Sequence, residues 1–355
     1  MRVWFNASDM VFTGRALGGF FDVPHLEYTS LLSKQDTTGC EDRCELVSNP
    51  SDAHFLVSEK YPASKSGGHT QHTVHMTLES KEYVPAPQNF DLAADLSLRS
   101  NVPLMLAPVR FWERLQALPL PTAEDVRGRR LALWTASNCC RTTWDRQGFV
   151  QEVHRSLQAL GHAPGIDSAG RCLNNSPIAA ADLPKEYSES ILKGCTDGQS
   201  GGGRTCTQTD ASAGEKTRDV LGRYLFVFSM VNAIENTNVD EKFYEPFLGN
   251  SVPVVIAPRE VQRAAPAKNS FVDATQFDSP SALARHLLWL AEHPEEYLKF
   301  FDFRRAPAAV AGPSKDLRDI DATGVFQTGT LCRLCSCLCD PGCMRKRDVG
   351  KCGYR

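Results

Sequence analysis

The run Asp240-Glu241-Lys242 closes an Asn-rich loop, VNAIENTNVD, and opens the short segment FYEPFLG, which leads into the apolar VPVV. At a helix start the unsatisfied N–H groups and the positive end of the dipole favour an anion, and Lys242 adds a full cation. The same letters also fit Asp240 as an N-cap with Glu241 and Lys242 as solvated first-turn residues. A second polar loop, TASNCCRTTWDRQGF, follows the buried-type strand LALW and offers Asn138 and Arg146. Two cations from separate loops can neutralise one anion, although Arg146 beside Arg141 also fits a solvated loop arginine. Glu79 lies at the end of VHMTLES, one residue before Ser80. A carboxylate held at a strand end can take a proton from a hydroxyl; an exposed strand-end Glu near Glu82 fits the same pattern.

These residues need rigid elements beneath them. AHFLVSE reads as a strand after Asp52, and VHMTLES as another ending at Glu79. Phe90–Leu98 and Val102–Pro108 continue the alternation of short strands and turns, and DVRGRR reads as a basic turn before LALWTAS. FVQEVHRSLQALG places Phe149, Val150, Val153, Leu157 and Leu160 on one helical face and stops at Gly161. Strand, loop and helix in that order form the βαβ unit of a parallel sheet. PGIDSAG, RYLFVFSM, YEPFLGNS and VPVVIAP repeat the alternation. SALARHLLWLAEHPEEYLKFFDFRR is a helix, or two joined at His293-Pro294. The Gly/Ser/Thr-rich stretch 185–218 reads as a flexible surface insertion, because it holds too little apolar area to offset ordering entropy.

With 355 residues the chain suits two domains, and a net charge of −3 gives no global attraction to nucleic acid, so no nucleic-acid partner is expected. Its longest apolar run is far shorter than the roughly 18 residues of a membrane span, and MRVWFNASDMVF lacks a signal-peptide core. A soluble chain without targeting is expected. Of 13 cysteines, six fall between Cys332 and Cys352, and Cys40 and Cys44 form another close pair. Disulfides in an oxidising lumen and a zinc site both fit CRLCSCLCDPGC; the absence of His and the Cys-x-Cys steps weigh towards disulfides, with Cys332 and Cys335 a local pair. Asn6-Ala7-Ser8 is a glycosylation sequon, and Asn174-Asn175-Ser176 another that Pro177 weakens.

Taken in order, the pieces resemble the family-10 α-1,3-fucosyltransferases over roughly Cys40 to Cys335. The densest part is RYLFVFSMVNAIENTNVDEKFYEPFLGNSVPVVIAP, similar to that family's Phe-Glu-Asn-Ser, Tyr-Val-Thr-Glu-Lys and Val-Pro-Val-Val pattern. TLESKEY, SNVPLMLAP, TASNCCRTTWDRQGF, IDSAGRC and CRLC add to it, and SNVPLMLAPVRFWE with IDSAGRC looks closer to plant and algal members. The resemblance implies an α/β fold of the GT-B type, two Rossmann-like domains facing each other across a cleft, with a Cys-rich tail. Expected boundaries are 1–128 for the acceptor side, 129–310 for the GDP-fucose side and 311–355 for linker and tail.

The resemblance also implies inverting transfer of fucose from GDP-fucose to a glycan hydroxyl. Glu79 matches the base, Arg146 and Lys242 bind the diphosphate, Glu241 accepts ribose or fucose hydroxyls, and Asn138, Asn232 and Asn238 lie on the donor loops. Val231, Ala233 and Asn238 depart from the family's Glu, Ser and Tyr, and Asp240 replaces its Thr. The alternative is therefore a degenerate relative that binds nucleotide sugar or glycan without turnover. No Asp-x-Asp follows an expected strand, so no metal and no cofactor beyond the donor are expected. The family's Golgi-lumen setting would reach the membrane through an N-terminal anchor absent from this chain, and a truncated gene model is the expected reason.

Overall fold

The computed structural model describes residues 1–5, 45–59, 61–66, 68–77, 89–95, 100–102, 104, 111–136, 142–168, 172–173, 175, 220–234, 239–256, 259–305 and 330–337. Glu79, Asn138, Asn238, Cys40, Cys44 and the insertion 185–218 lie outside the described residues, and Glu241 and Cys332 are described in their backbone alone. The chain divides into two compact units, one of Met1–Arg110, Thr237–Val239 and Asp319–Arg355, the other of Phe111–Asn236 and Asp240–Arg318.

In the first unit five strands, β1 Arg2–Phe5, β2 Glu45–Leu46, β3 Phe55–Ser58, β4 His72–Met76 and β5 Leu92–Ala94, form a sheet in the order β2-β1-β3-β4-β5. Every pairing is parallel. A parallel strand covered on both faces is mostly apolar, and in β3 Phe55, Leu56 and Val57 are buried together with Ser58. β4 carries the polar Thr73 and His75 into the interior. Asp91 compensates for Thr73, accepting from its backbone N at 2.7 Å and its Oγ1 at 3.0 Å. The strand expected to run to Glu79 stops at Met76; Thr77 N still donates to Ala94 O at 3.1 Å, which fixes the chain where it leaves the sheet.

The second sheet holds β6 Arg130–Trp134, β7 Asp167–Ser168, β8 Tyr224–Phe228, β9 Val252–Val255 and β10 Val272–Asp273, again all parallel, in the order β10-β9-β8-β6-β7. Around it in this unit run α1 Phe111–Ala117, α2 Ala123–Gly128, α3 Arg146–Ala159, α4 Glu241–Leu248, α5 Arg259–Ala264, α6 Pro280–Glu292 and α7 Pro294–Tyr297. DVRGRR is not a turn: its first four residues end α2, which Thr122 and Asp125 start with a reciprocal capping box, and Arg130 already begins β6. On α3 Val150, Val153 and Leu157 face the core, in one cluster with Trp134, Phe226, Leu283 and Leu287, and Arg146 is buried at the helix start. Leu160 was expected on that face and is 42% exposed, because the helix ends at Ala159 and Gly161 takes a positive φ of 91° just beyond. The long C-terminal helical pattern breaks at His293-Pro294, as its letters indicated.

Numbered within each sheet, both strand orders are 2-1-3-4-5. The direction of winding reverses between β1 and β3 in one unit and between β6 and β8 in the other. In doubly wound sheets ligands bind outside the carboxyl ends of the strands at that reversal. The tail helix α8 Thr330–Cys337 belongs to the first unit, packs on β1, and buries Leu334, Cys335 and Cys337. It sets Cys332 and Cys335 three residues apart, on the same side of a helix.

Candidate functional site

The reversal in the second sheet selects two chain segments, the one after β6 and the one after β8. Their described parts are sewn together in consecutive steps. Arg146 Nη1 donates to Met230 O at 2.8 Å, Trp144 Nε1 to Val231 O at 3.0 Å, and Thr143 N to Asn232 O at 3.0 Å. One residue earlier, Ser229 Oγ donates to Lys242 O, and its backbone N extends the sheet by donating to Val254 O at 2.9 Å. Residues 229–232 thus hold the first turn of α3 on one side and that of α4 on the other.

Both helices aim their N-termini at this strand end. Asp145 caps α3, its carboxylate accepting from Gly148 N at 2.8 Å, and a Cβ at Gly148 would overlap that carboxylate, so a side chain there would displace it. Asp240 caps α4 through Lys242 N at 3.1 Å, while its other oxygen receives the Lys242 ammonium at 2.9 Å. The bland reading of Asp240 and the sharper reading of Lys242 therefore meet in one contact. α4 is anchored from behind by Tyr244 and Phe247, which are fully covered and pack edge-on against Phe111. Burial also pushes the Tyr244 phenol well above its ordinary range. The arrangement is a fixed corner with two helix N-termini, a buried guanidinium and a half-exposed ammonium, which is chemistry for an anion.

Arg146, Asn232 and Lys242 are brought to this one corner, and the backbone of Glu241 opens α4 beside them. Arg146 is not the solvated loop arginine of the alternative reading: it is 2% exposed and lies in the first turn of α3. Glu79, Asn138 and Asn238 fall outside the described residues. Sequence reasoning missed a second acidic group in the first unit. Glu59, directly after β3, is fully buried and accepts from Thr77 Oγ1 at 3.1 Å, two residues before Glu79. The only sequence mark is that AHFLVSE, like the strand expected to end at Glu79, ends in a glutamate, a pattern that does not by itself distinguish a buried acid from an exposed one. Among the described residues no group of three or more His, Cys, Asp or Glu side chains could hold a metal ion, and no helix is long and apolar enough to cross a membrane.

Residues 200–347 match the model of glycosyltransferase family 10 (fucosyltransferase), C-terminal region. This C-terminal stretch, less than half of the chain, is similar to the family-10 domain. The matched stretch contains Asn232, Glu241, Lys242 and the segment 229–232 to which Arg146 is bonded. The chain is 24% identical over 224 residues to GDP-fucose protein O-fucosyltransferase 3 of Gallus gallus and 25% identical over 227 residues to that of Xenopus laevis. Each match covers 62% of this chain and 41% of the relative, so the chain spans about two fifths of the length of these curated relatives. A fucosyltransferase-like protein of Arabidopsis thaliana is 30% identical over 118 residues, covering 33% of this chain and 21% of that one. A crystal structure of an α1,3-fucosyltransferase with GDP is similar with a TM-score of 0.49 at 12% identity, over 92% of this chain and 90% of that one.

Proposed function

We propose that this chain transfers fucose from GDP-fucose to a glycan hydroxyl on a glycoprotein, in α-1,3 linkage and with inversion. The observation that carries this reading is the corner at residues 229–232, where Arg146 and Lys242 are tied to one strand end inside and beside the family-10 match. The acceptor oxygen attacks the anomeric carbon as the bond to the β-phosphate breaks. Its proton passes to Glu79, and the electron pair leaves with GDP, whose growing charge Arg146 and Lys242 offset. Glu241 accepts hydrogen bonds from ribose or fucose hydroxyls, and Asn138, Asn232 and Asn238 shape the donor loops. The first unit binds the acceptor and the second the donor, the division of labour of a GT-B enzyme. No metal ion takes part. The setting is the Golgi lumen, with the tail cysteines, Cys332 and Cys335 among them, in disulfides.

Two observations favour other readings. The relatives named protein O-fucosyltransferases point to a protein hydroxyl as acceptor. The Asp240–Lys242 pair, with Val231 in place of a glutamate, points to a relative that binds nucleotide without turnover. Incubation with radiolabelled GDP-fucose and glycoprotein, in excess EDTA, separates the three. Fucose released with N-glycans supports the proposal, fucose freed only by β-elimination moves the acceptor to a protein hydroxyl, and GDP binding without release of GDP or transfer supports the third.

A further inference from the structure

At the β10 edge of the second sheet lies a cavity of about 1020 Å³ that shares no lining residue with segments 142–146, 229–232 or 240–242. Its lining comes from α5 with Gln262 and Arg263, from Phe271 and Val272 at the start of β10, and from α6 with His286 and Trp289. Its wall is organised around rings. Phe277 meets His286 at 5.0 Å; His286 stacks on Trp289 at 5.9 Å and 23°, and Trp289 stacks on His293 at 4.8 Å and 26°. Trp289 is nevertheless 41% exposed, a large apolar surface left open beside polar side chains.

We propose that this cavity is a second carbohydrate site, one that takes an oligosaccharide segment apart from the transfer centre. Sugars present an apolar C–H face and a rim of hydroxyls that both donate and accept. The matching protein surface here is the open edge of a fixed column of rings, flanked by groups that also do both. Trp289 is held between His286 and His293 and is 41% exposed at its edge, while Phe277 and the amides of Gln262, Asn269 and Gln276 line the same cavity and supply apolar surface, donors and acceptors. A purely apolar ligand would strand those amides without water. The charges that line the space are nearly balanced, Arg263, Lys268 and Lys299 against Asp273 and Glu296, with Glu296 held on Lys299 at 2.6 Å, so the cavity lacks the concentrated positive charge a polyphosphate needs. The volume is at the top of the ~300–1,000 Å³ range of small-ligand sites, which suits a chain of sugars better than one ring.

The test uses the intact chain on immobilised N-glycans, with unglycosylated peptides as a second arm, and thermal stabilisation by GDP on the same samples. Expected is retention on at least one glycan, lost more than about tenfold in Trp289→Ala and in Gln262→Ala, partly kept in Trp289→Phe, with GDP stabilisation unchanged. Lack of retention on every glycan, binding confined to the peptide arm, or full glycan binding by Trp289→Ala would overturn the proposal. Glycan retention by a chain that ignores GDP would leave this site standing and remove the donor reading instead.

Discussion

The guanidinium of Arg146 donates to the backbone carbonyl of Met230 at 2.8 Å, although Arg146 lies in the first turn of a helix and is 2% exposed. A buried cation at the positive end of a helix dipole is unfavourable for folding alone. An arriving anion reverses the sign of that arrangement. Arg146→Met keeps the side-chain volume and removes the charge. Thermal stability is expected to stay within a few degrees while calorimetry shows GDP affinity reduced by at least about tenfold, roughly 1.4 kcal/mol. A large loss of stability with GDP affinity unchanged would assign Arg146 to the fold instead.

Asp240 and Lys242 make opposite predictions. Lys242→Ala removes the ammonium and should weaken GDP. Asp240→Asn keeps an effective N-cap but releases the ammonium from its 2.9 Å partner. GDP titration of this variant should show tighter binding by a few-fold, provided the ammonium and the diphosphate meet. Equal weakening in both variants would mean that the pair serves only to start α4.

Four histidines, His54, His72, His162 and His286, have pKa values below the usual value, each first because burial penalises the charged ring. The folded chain therefore binds fewer protons than the unfolded one just below the unfolded pKa of about 6.5. Stability is full above that value and falls as pH drops below it. Asp91 and Asp125 are held below the ordinary carboxylate value; burial raises Asp91, but hydrogen bonds from Lys65 and Thr73 outweigh it, while hydrogen bonds from Thr122 lower Asp125. Their stabilisation is lost only at still lower pH. Urea midpoints should accordingly decrease from about pH 7.5 to about pH 5.5, and a flat or rising midpoint would contradict the assignment.

Tyr297 is fully buried and donates its hydroxyl to Leu225 O at 2.8 Å, joining α7 to β8. Tyr297→Phe removes a donor without opening a cavity. Chemical denaturation is expected to show a loss of about 1–3 kcal/mol with GDP binding by the folded fraction unchanged.

Much of the second unit could be read from its letters. LALW, YLFVF and VPVV are short but almost wholly apolar runs next to helical periods, which is how buried parallel strands and their crossovers appear. The first unit was less legible. RVWF opens the chain in a four-residue strand, EL is a two-residue strand, and periodicity needs windows longer than either. α2 escaped because its six residues hold only one buried side chain, Val126, beneath a charged exterior. Lys242 and Arg146 were visible as charges near helix starts. The bonds that join them to Ser229 and Met230 run through backbone carbonyls, which leave no mark on residue type. Glu59 stayed hidden because a glutamate at the end of an apolar run reads as exposed until the fold buries it.

The most direct test of the fucosyl-transfer reading is radiolabelled fucose incorporation from GDP-fucose into glycoprotein by wild type and Glu79→Gln, with GDP affinity read on both. The substitution keeps size and hydrogen-bonding atoms but cannot take the acceptor proton. Expected is measurable transfer by wild type, a drop of roughly 10²–10⁴-fold in the variant, and equal GDP affinity, since Arg146 and Lys242 are untouched. Near wild-type transfer by a well-folded Glu79→Gln chain would remove Glu79 from the mechanism. A wild-type chain that neither binds GDP nor transfers fucose would contradict the proposal of a donor site at residues 229–232 itself.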